Sequence, residues 1–265
     1  MNPSLSPSVP NLLDEALGLG RGGSAPWRVA LVQDCVETSG AFLLHHFLKR
    51  ALSAEGAGAV VFLALAHPFS HYDRVLRKMG CNLSLQRNKN KLHFIDLLNL
   101  EFPVAGQTGQ NALEVGFIGL YNKILRSVEA SSLRDDKGGW ISIIIDDVSL
   151  LEIAAHGSVS HVLDFLQYCT TLTSELDCSL VVLNHEDIYS SEEEIRLLSH
   201  LDYLSDVVIK TEPLATGIAA DVHGQLTIIN KGVFTECGRS MNKVHNFQFK
   251  VKDNGVDFFY PGSQF

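Results

Sequence analysis

The chain has 265 residues, of which 46% are apolar, and carries a formal net charge of -9 at pH 7. That supplies one sizeable core in a chain slightly long for one average domain, and so acidic a surface argues against a stand-alone DNA or RNA binder unless a local basic patch or basic partners intervene. No run of about 18 uncharged apolar residues occurs, and Met1 to Pro10 lacks the charged-then-apolar order of a secretory signal; the expectation is a soluble, intracellular protein.

Residues 1–10, rich in proline and serine, read as disordered. Asn11 to Leu17 reads as a short helix that stops at Gly18-Leu19-Gly20-Arg21-Gly22-Gly23. This run spells G-x-G-x-x-G, but the dinucleotide fingerprint needs a strand before the glycines and a helix opening on them. Here the order is reversed, which points to a flexible entry loop. Residues 1–25 are therefore taken as a flexible segment with a short helix, and residues 26–265 as a single domain.

From Arg28 strands and helices alternate. Val29 to Val32 forms a strand, and the next helix places Leu44, Phe47, Leu48, Ala51 and Leu52 on one face. A strand over Val60 to Leu65 leads to a short helix with Ser70 as N-cap and Gly80 as stop, followed by a strand at Leu92 to Ile95. Residues 101–111 read as a loop and Ala112 to Glu129 as a helix. The aliphatic run Ile141 to Ile145 suits a central parallel strand buried on both faces. A helix around Val159 to Leu176, a strand at Ser179 to Leu183 and a helix over Glu192 to Leu201 follow. Strands alone remain after that: Val207 to Lys210, Leu226 to Ile229, Phe247 to Val251 and Val256 to Tyr260, with Asp253-Asn254-Gly255 as a hairpin signal, since Asn and Gly tolerate positive φ. The alternation implies a parallel sheet wrapped by helices, extended by antiparallel strands at the C-terminal end.

The segment between the first strand and its helix is where a phosphate-binding loop, G-x-x-x-x-G-K-[ST], would lie. It reads Asp34-Cys35-Val36-Glu37-Thr38-Ser39-Gly40-Ala41-Phe42. Only Gly40 fits: Cys35 stands for the first glycine, Ala41 for the lysine and Phe42 for the Mg²⁺-binding hydroxyl. Loss of the lysine removes the counter-ion of the γ-phosphate, and Asp34 and Glu37 are expected to repel a triphosphate further. Gly40 would permit a tight turn, and Ser39 could cap the helix. Ile143-Ile144-Ile145-Asp146-Asp147 has the form of the second NTPase motif, a strand delivering a carboxylate to Mg²⁺. The Asp146-Asp147 pair reads either as a vestige of that motif or as a cap on the next turn.

Other candidate chemistry is thin. His45 and His46 are adjacent on a helix and point about 100° apart, and no metal site is expected from the histidines. His185-Glu186-Asp187 follows a strand but reads as a hydrated loop. The five cysteines (Cys35, Cys81, Cys169, Cys178, Cys237) form no C-x-x-C pair and read as small core residues. Arg74, Arg77, Lys78, Arg87, Lys89 and Lys91 make the one dense basic region, which is either a solvated face or an RNA contact. The acidic stretch 186–194 should not meet nucleic acid.

The glycine loop, degenerate phosphate turn and aliphatic Asp-Asp strand resemble the RecA/KaiC-like ATPase group across about residues 11–210. More specific are Phe42-Leu43-Leu44-His45-His46-Phe47-Leu48, Phe69-Ser70-His71-Tyr72, Leu163-Asp164-Phe165, Leu214-Ala215-Thr216-Gly217 and Asp221-Val222-His223-Gly224-Gln225-Leu226. These are similar to the Elongator complex protein 6 family over nearly the whole chain after residue 26. The resemblance implies an α/β, RecA-like three-layer fold with a central, mainly parallel sheet and antiparallel strands at the C-terminal end. It further implies a subunit without ATP-binding motifs, hence no cofactor. That subunit joins two paralogous RecA-like subunits in a hetero-hexameric ring with two copies of each, bound to the larger Elongator subunits and to tRNA, with no membrane. The complex modifies carbon 5 of the wobble uridine, and its chemistry belongs to another subunit, so no catalytic residue carries over to this chain. Two rival readings stay open: an unorthodox NTPase using Asp146 or Asp147 with a neighbour's cation, and a RecA-like DNA-repair accessory protein.

Overall fold

The computed structural model describes residues 11–20, 25–53, 58–102, 112–133, 139–189, 192–215, 217, 219, 221–234 and 240–262. In chain order the elements are α1 (Leu12–Ala16), β1 (Val29–Asp34), α2 (Ala41–Leu52), β2 (Ala59–Ala64), α3 (Phe69–Lys78), α4 (Leu83–Asn88), β3 (Leu92–Asp96) and α5 (Ala112–Ser132). They continue with β4 (Ile141–Ile145), α6 (Val148–Ala154), α7 (Val159–Glu175), β5 (Cys178–His185), α8 (Glu192–Leu204), β6 (Val207–Glu212), β7 (Gly224–Phe234), β8 (Ser240–Lys252) and β9 (Gly255–Phe259).

All nine strands join one sheet in the order β3-β2-β4-β5-β1-β6-β7-β8-β9. The first six are parallel, and β7, β8 and β9 extend the sheet antiparallel. A strand's side chains alternate between faces, and both faces of the parallel part are apolar. Ala30, Val32, Phe62 and Ile144 point to a core shared with α1, α2, α3 and α4. Leu31, Leu63, Ile143 and Ile145 point to a second core shared with α5, α6, α7 and α8. The result is the expected three-layer arrangement, and β1, β4 and β5 are continuous apolar runs because no face of them meets water.

Several local expectations change. Helices α4 and α6 are absent from the sequence reading, because six and seven residues are too few to display a 3.6-residue period. Ser70 lies inside α3; the N-cap is Pro68, which has no side-chain acceptor. The expected β8–β9 hairpin is present, with Lys252 paired to Gly255; its turn is made without a positive φ at Asn254 or Gly255. The Pro/Ser-rich start, the end of the glycine run and most of the 101–111 loop fall outside the described residues. α1 is anchored rather than loose: Leu13 and Leu17 are buried in the first core, and Asp14 accepts hydrogen bonds from His46 at 2.8 Å and Arg50 at 2.6 Å.

Candidate functional site

Because helices hide both faces of a parallel sheet, ligands of such folds meet the strands at their C-terminal ends. Four neighbouring strands, β4-β5-β1-β6, end together. They deliver Asp146 and Asp147, His185, Asp34, and Lys210 with Thr211.

The degenerate turn is built from this floor. Cys35 and Thr38 bridge a tight reversal, which leaves Val36 77% exposed at its tip. Asp34 is wholly buried, and its carboxylate accepts the Gly40 N–H at 2.7 Å. In a phosphate-binding loop such an N–H faces the ligand; here an internal carboxylate holds it. Gly40 has an ordinary φ of -86°, so conformation does not demand glycine there. Close approach does: a Cβ would sit 2.9 Å from Val32 Cγ1 and 3.3 Å from Asp34 Cβ. The N-cap of α2 is Gly40 and not Ser39; Ser39 lies one residue earlier and accepts the Ala41 N–H at 3.2 Å. Phe42, at the position of the Mg²⁺-binding hydroxyl, turns inward against Phe249, with ring centroids 4.7 Å apart.

His185 closes the site. Its Nδ1 donates to Asp34, and its Nε2 donates to Asp147 at 3.2 Å. Hydrogen bonds to Asp147 and then Asp34 outweigh burial and raise the imidazole from 6.5 to about 10, so the ring is a cation at neutral pH. Asp34 is therefore neither exposed nor unpaired, and it does not confront solvent as a repelling charge; Glu37 is exposed. For Asp147, burial pushes the carboxyl up. The bonds from His185, from Ser149 Oγ at 2.7 Å and from the Leu150 N–H at 3.1 Å more than offset this, and the net shift is downward. Asp147 is also the N-cap of α6. The adjacent Asp146 accepts from the Leu65 and Ala66 N–H groups at 2.7 and 3.1 Å and from Tyr72 Oη at 2.5 Å. Burial outweighs these bonds and holds its carboxyl above the usual range. Both members of the acidic pair are thus occupied by the protein itself. The His185-Glu186-Asp187 segment is correspondingly no free hydrated loop. His185 is clamped, Glu186 pairs with Lys210 at 3.1 Å, and Asp187 accepts the Val36 N–H at 2.9 Å.

The C-terminal sequence motif arrives at the same place. Gly224 begins β7 beside the turn, where a Cβ would meet Glu212 O at 2.7 Å and Thr38 Cγ2 at 2.9 Å. Thr211 Oγ1 donates to the Thr38 carbonyl at 3.0 Å.

The basic residues lie elsewhere, along the β3 edge of the sheet. Arg74, Arg77 and Lys78 are exposed on α3, Arg87 and Lys89 are exposed at the end of α4, and Lys91 is half-buried before β3. Arg77 pairs with Asp73 at 2.9 Å, and the Arg87 guanidinium lies over the Phe69 ring at 5.5 Å.

The profile described as Elongation complex protein 6 matches residues 13–253. The chain belongs to the Elongation complex protein 6 family. Among similar members, Elongator complex protein 6 of Xenopus tropicalis is 34% identical over 262 residues, covering 94% of this chain and 96% of that protein. The human protein of that name is 32% identical over 238 residues, covering 85% and 88%. A KaiC-like protein from Pyrococcus horikoshii superposes with a TM-score of 0.62 over 94% of this chain and 95% of that one. At 12% identity it shows the fold alone, which is KaiC-like and RecA-type. Among the described residues of this Elongation complex protein 6 family member, no helix is long and apolar enough to cross a membrane.

His185 is the site residue whose sequence position, at the end of a strand, points to a hydrated loop and not to the clamp it forms. Its role depends on β5 lying between β1 and β4, an adjacency that chain order does not reveal.

Proposed function

We propose that this chain is a non-catalytic, RecA-like subunit of the Elongator complex. In this reading residues 26–265 form one domain that joins two paralogous subunits in a hetero-hexameric ring, bound to the larger Elongator subunits and supporting modification of carbon 5 of the tRNA wobble uridine. Family membership supports the first part. The observation that carries the non-catalytic part is the closed site: Asp34 holds the Gly40 N–H that a phosphate would take, and of the carboxylates that a metal would take, Asp147 is held by His185 and Asp146 by the Leu65 and Ala66 N–H groups and Tyr72. No cofactor or metal is then required. The degenerate turn at Cys35, Gly40, Ala41 and Phe42 and the surrounding loops become a contact surface, with Val36 as its exposed apolar tip. The basic β3 edge, from Arg74 to Lys91, is the part of the chain best suited to a phosphate backbone. The protein acts in the cytoplasm and the nucleus.

Light scattering after size-exclusion tests assembly: the chain mixed with its two paralogues should elute at the mass of six subunits, and a persistent monomer would sink the reading. Isothermal titration of the isolated chain with ATP and Mg²⁺ tests the site, for which no micromolar binding is expected.

A further inference from the structure

We propose that His67 and His71, at the N-terminal end of α3, and Arg74, about one turn further along it, form a phosphate-binding site that takes up a proton when an RNA phosphodiester group occupies it. The proposal rests on the basic edge being an RNA contact and adds a specific clamp to it. His67 and His71 are four residues apart, with rings stacked at 4.2 Å. Arg74 follows three residues later on α3, and its charge is felt at His71. Beneath them, on α2, the His45 ring lies 6.4 Å from that of His71, and its Nε2 is buried without a hydrogen-bond partner.

Cation-forming groups are thus collected from three elements: His45 from α2, His67 from the β2–α3 connection, and His71 and Arg74 from α3. The carboxylate of Asp146, at the end of β4, is turned to the Leu65 and Ala66 N–H groups and to Tyr72. Asp73 is engaged by Arg77. The backbone adds to the same end: the His71 N–H donates to the Pro68 carbonyl at 2.9 Å, but Pro68 as N-cap offers no side-chain acceptor to the N–H groups of Phe69 and Ser70, and the helix dipole favours an anion there.

The cluster is under electrostatic tension without a ligand. Burial, then His67 and Arg74, lowers His71 from its ordinary value. Burial, then His71 and His67, lowers His45 to about 4. An anion placed between the stacked pair and Arg74 reverses the repulsive part of that shift, so binding and protonation favour each other.

The test uses the full chain and two probes, inorganic phosphate and labelled tRNA. With inorganic phosphate, NMR titration of the histidine rings should show the His71 midpoint moving upward. With tRNA, affinity should strengthen about fivefold from pH 8 to pH 6, and His67→Gln combined with His71→Gln should abolish that pH dependence. Since His67 is exposed and His71 half-buried, this variant should keep the wild-type circular dichroism; Arg74→Gln, at an exposed position, gives a second weakened form. A His71 midpoint unmoved by phosphate overturns the site. A moved midpoint with a pH dependence unaltered in the double variant overturns RNA as its ligand. If Arg87→Gln with Lys89→Gln leaves tRNA affinity unchanged while phosphate still moves His71, the failure is that of the basic-edge reading alone.

Discussion

His185 shows how a side chain can stand where a metal would, while Asp34 takes the N–H that a phosphate would take. It bridges Asp34, which is fully buried, and Asp147, which is nearly so. Removing it as His185→Ala leaves two buried carboxylates without their cation, a change that typically costs about 3–5 kcal/mol and is measurable by urea denaturation. The pH dependence follows from the direction of the shift. The imidazole is raised from 6.5 to about 10 on folding, so its contribution is complete below pH 6.5 and is lost as pH rises through 10. Thermal melts should fall across that alkaline window in the wild type and be flatter in His185→Gln. Asp147 is shifted the other way; its contribution is present at neutral pH and disappears as pH falls through its lowered value. Glycines give a second residue-scale contrast. Gly224→Ala must push a Cβ against the Glu212 carbonyl, and overpacking of that kind costs about 1–3 kcal/mol. Gly119, in the middle of α5, meets nothing within 4 Å; Gly119→Ala should stabilise by about 0.5–1 kcal/mol. Paired denaturation curves check both signs.

At the scale of elements, Asp146 and Tyr72 join the end of β4 to the β2–α3 connection. Tyr72→Phe removes one donor from a buried carboxyl and should cost about 1–3 kcal/mol, with faster hydrogen exchange at Leu65 and Ala66 as the local signature. This tie is not legible in the sequence, where Asp146 reads as half of an acidic pair, a vestigial metal carboxylate or a cap, and Tyr72 stands only in a family-like motif. What is legible is whatever repeats with a period: the aliphatic run of β4, the apolar face of α2 and the alternation that fixes a parallel sheet. Short helices such as α4 and α6 carry too few turns to declare themselves, and Ser70 misleads because a good capping residue in sequence need not occupy the cap. The turn from Cys35 to Phe42 is visible in the sequence as a departure from the phosphate loop, since the residue types themselves are wrong for one. The way the departure is completed, through Asp34, His185 and Gly224, depends on strand order and on partners separated by 151 and more residues of chain.

For the whole molecule, the relation between net charge and the basic edge sets the terms of any RNA contact. With a formal charge of -9, the chain can attract a polyanion only through a local patch. Binding should therefore be weak and steeply salt-dependent. Substituting Arg87, Lys89 and Lys91 with glutamine should lower the slope of log affinity against log salt by about one unit for each phosphate no longer neutralised; an unchanged slope in fluorescence anisotropy would place RNA elsewhere. The closed site has a further consequence at this scale. A nucleotide-binding subunit visits empty, diphosphate and triphosphate forms, and its shape follows the energy status of the cell. On the proposed reading, a subunit that supplies its own anion and its own cation should keep a single form at every ATP level, and hydrogen exchange at the Cys35–Phe42 turn should be unchanged by ATP and Mg²⁺. In the proposed ring it would then act as a fixed wedge, with any nucleotide-driven asymmetry beginning in a neighbour and ending at this subunit.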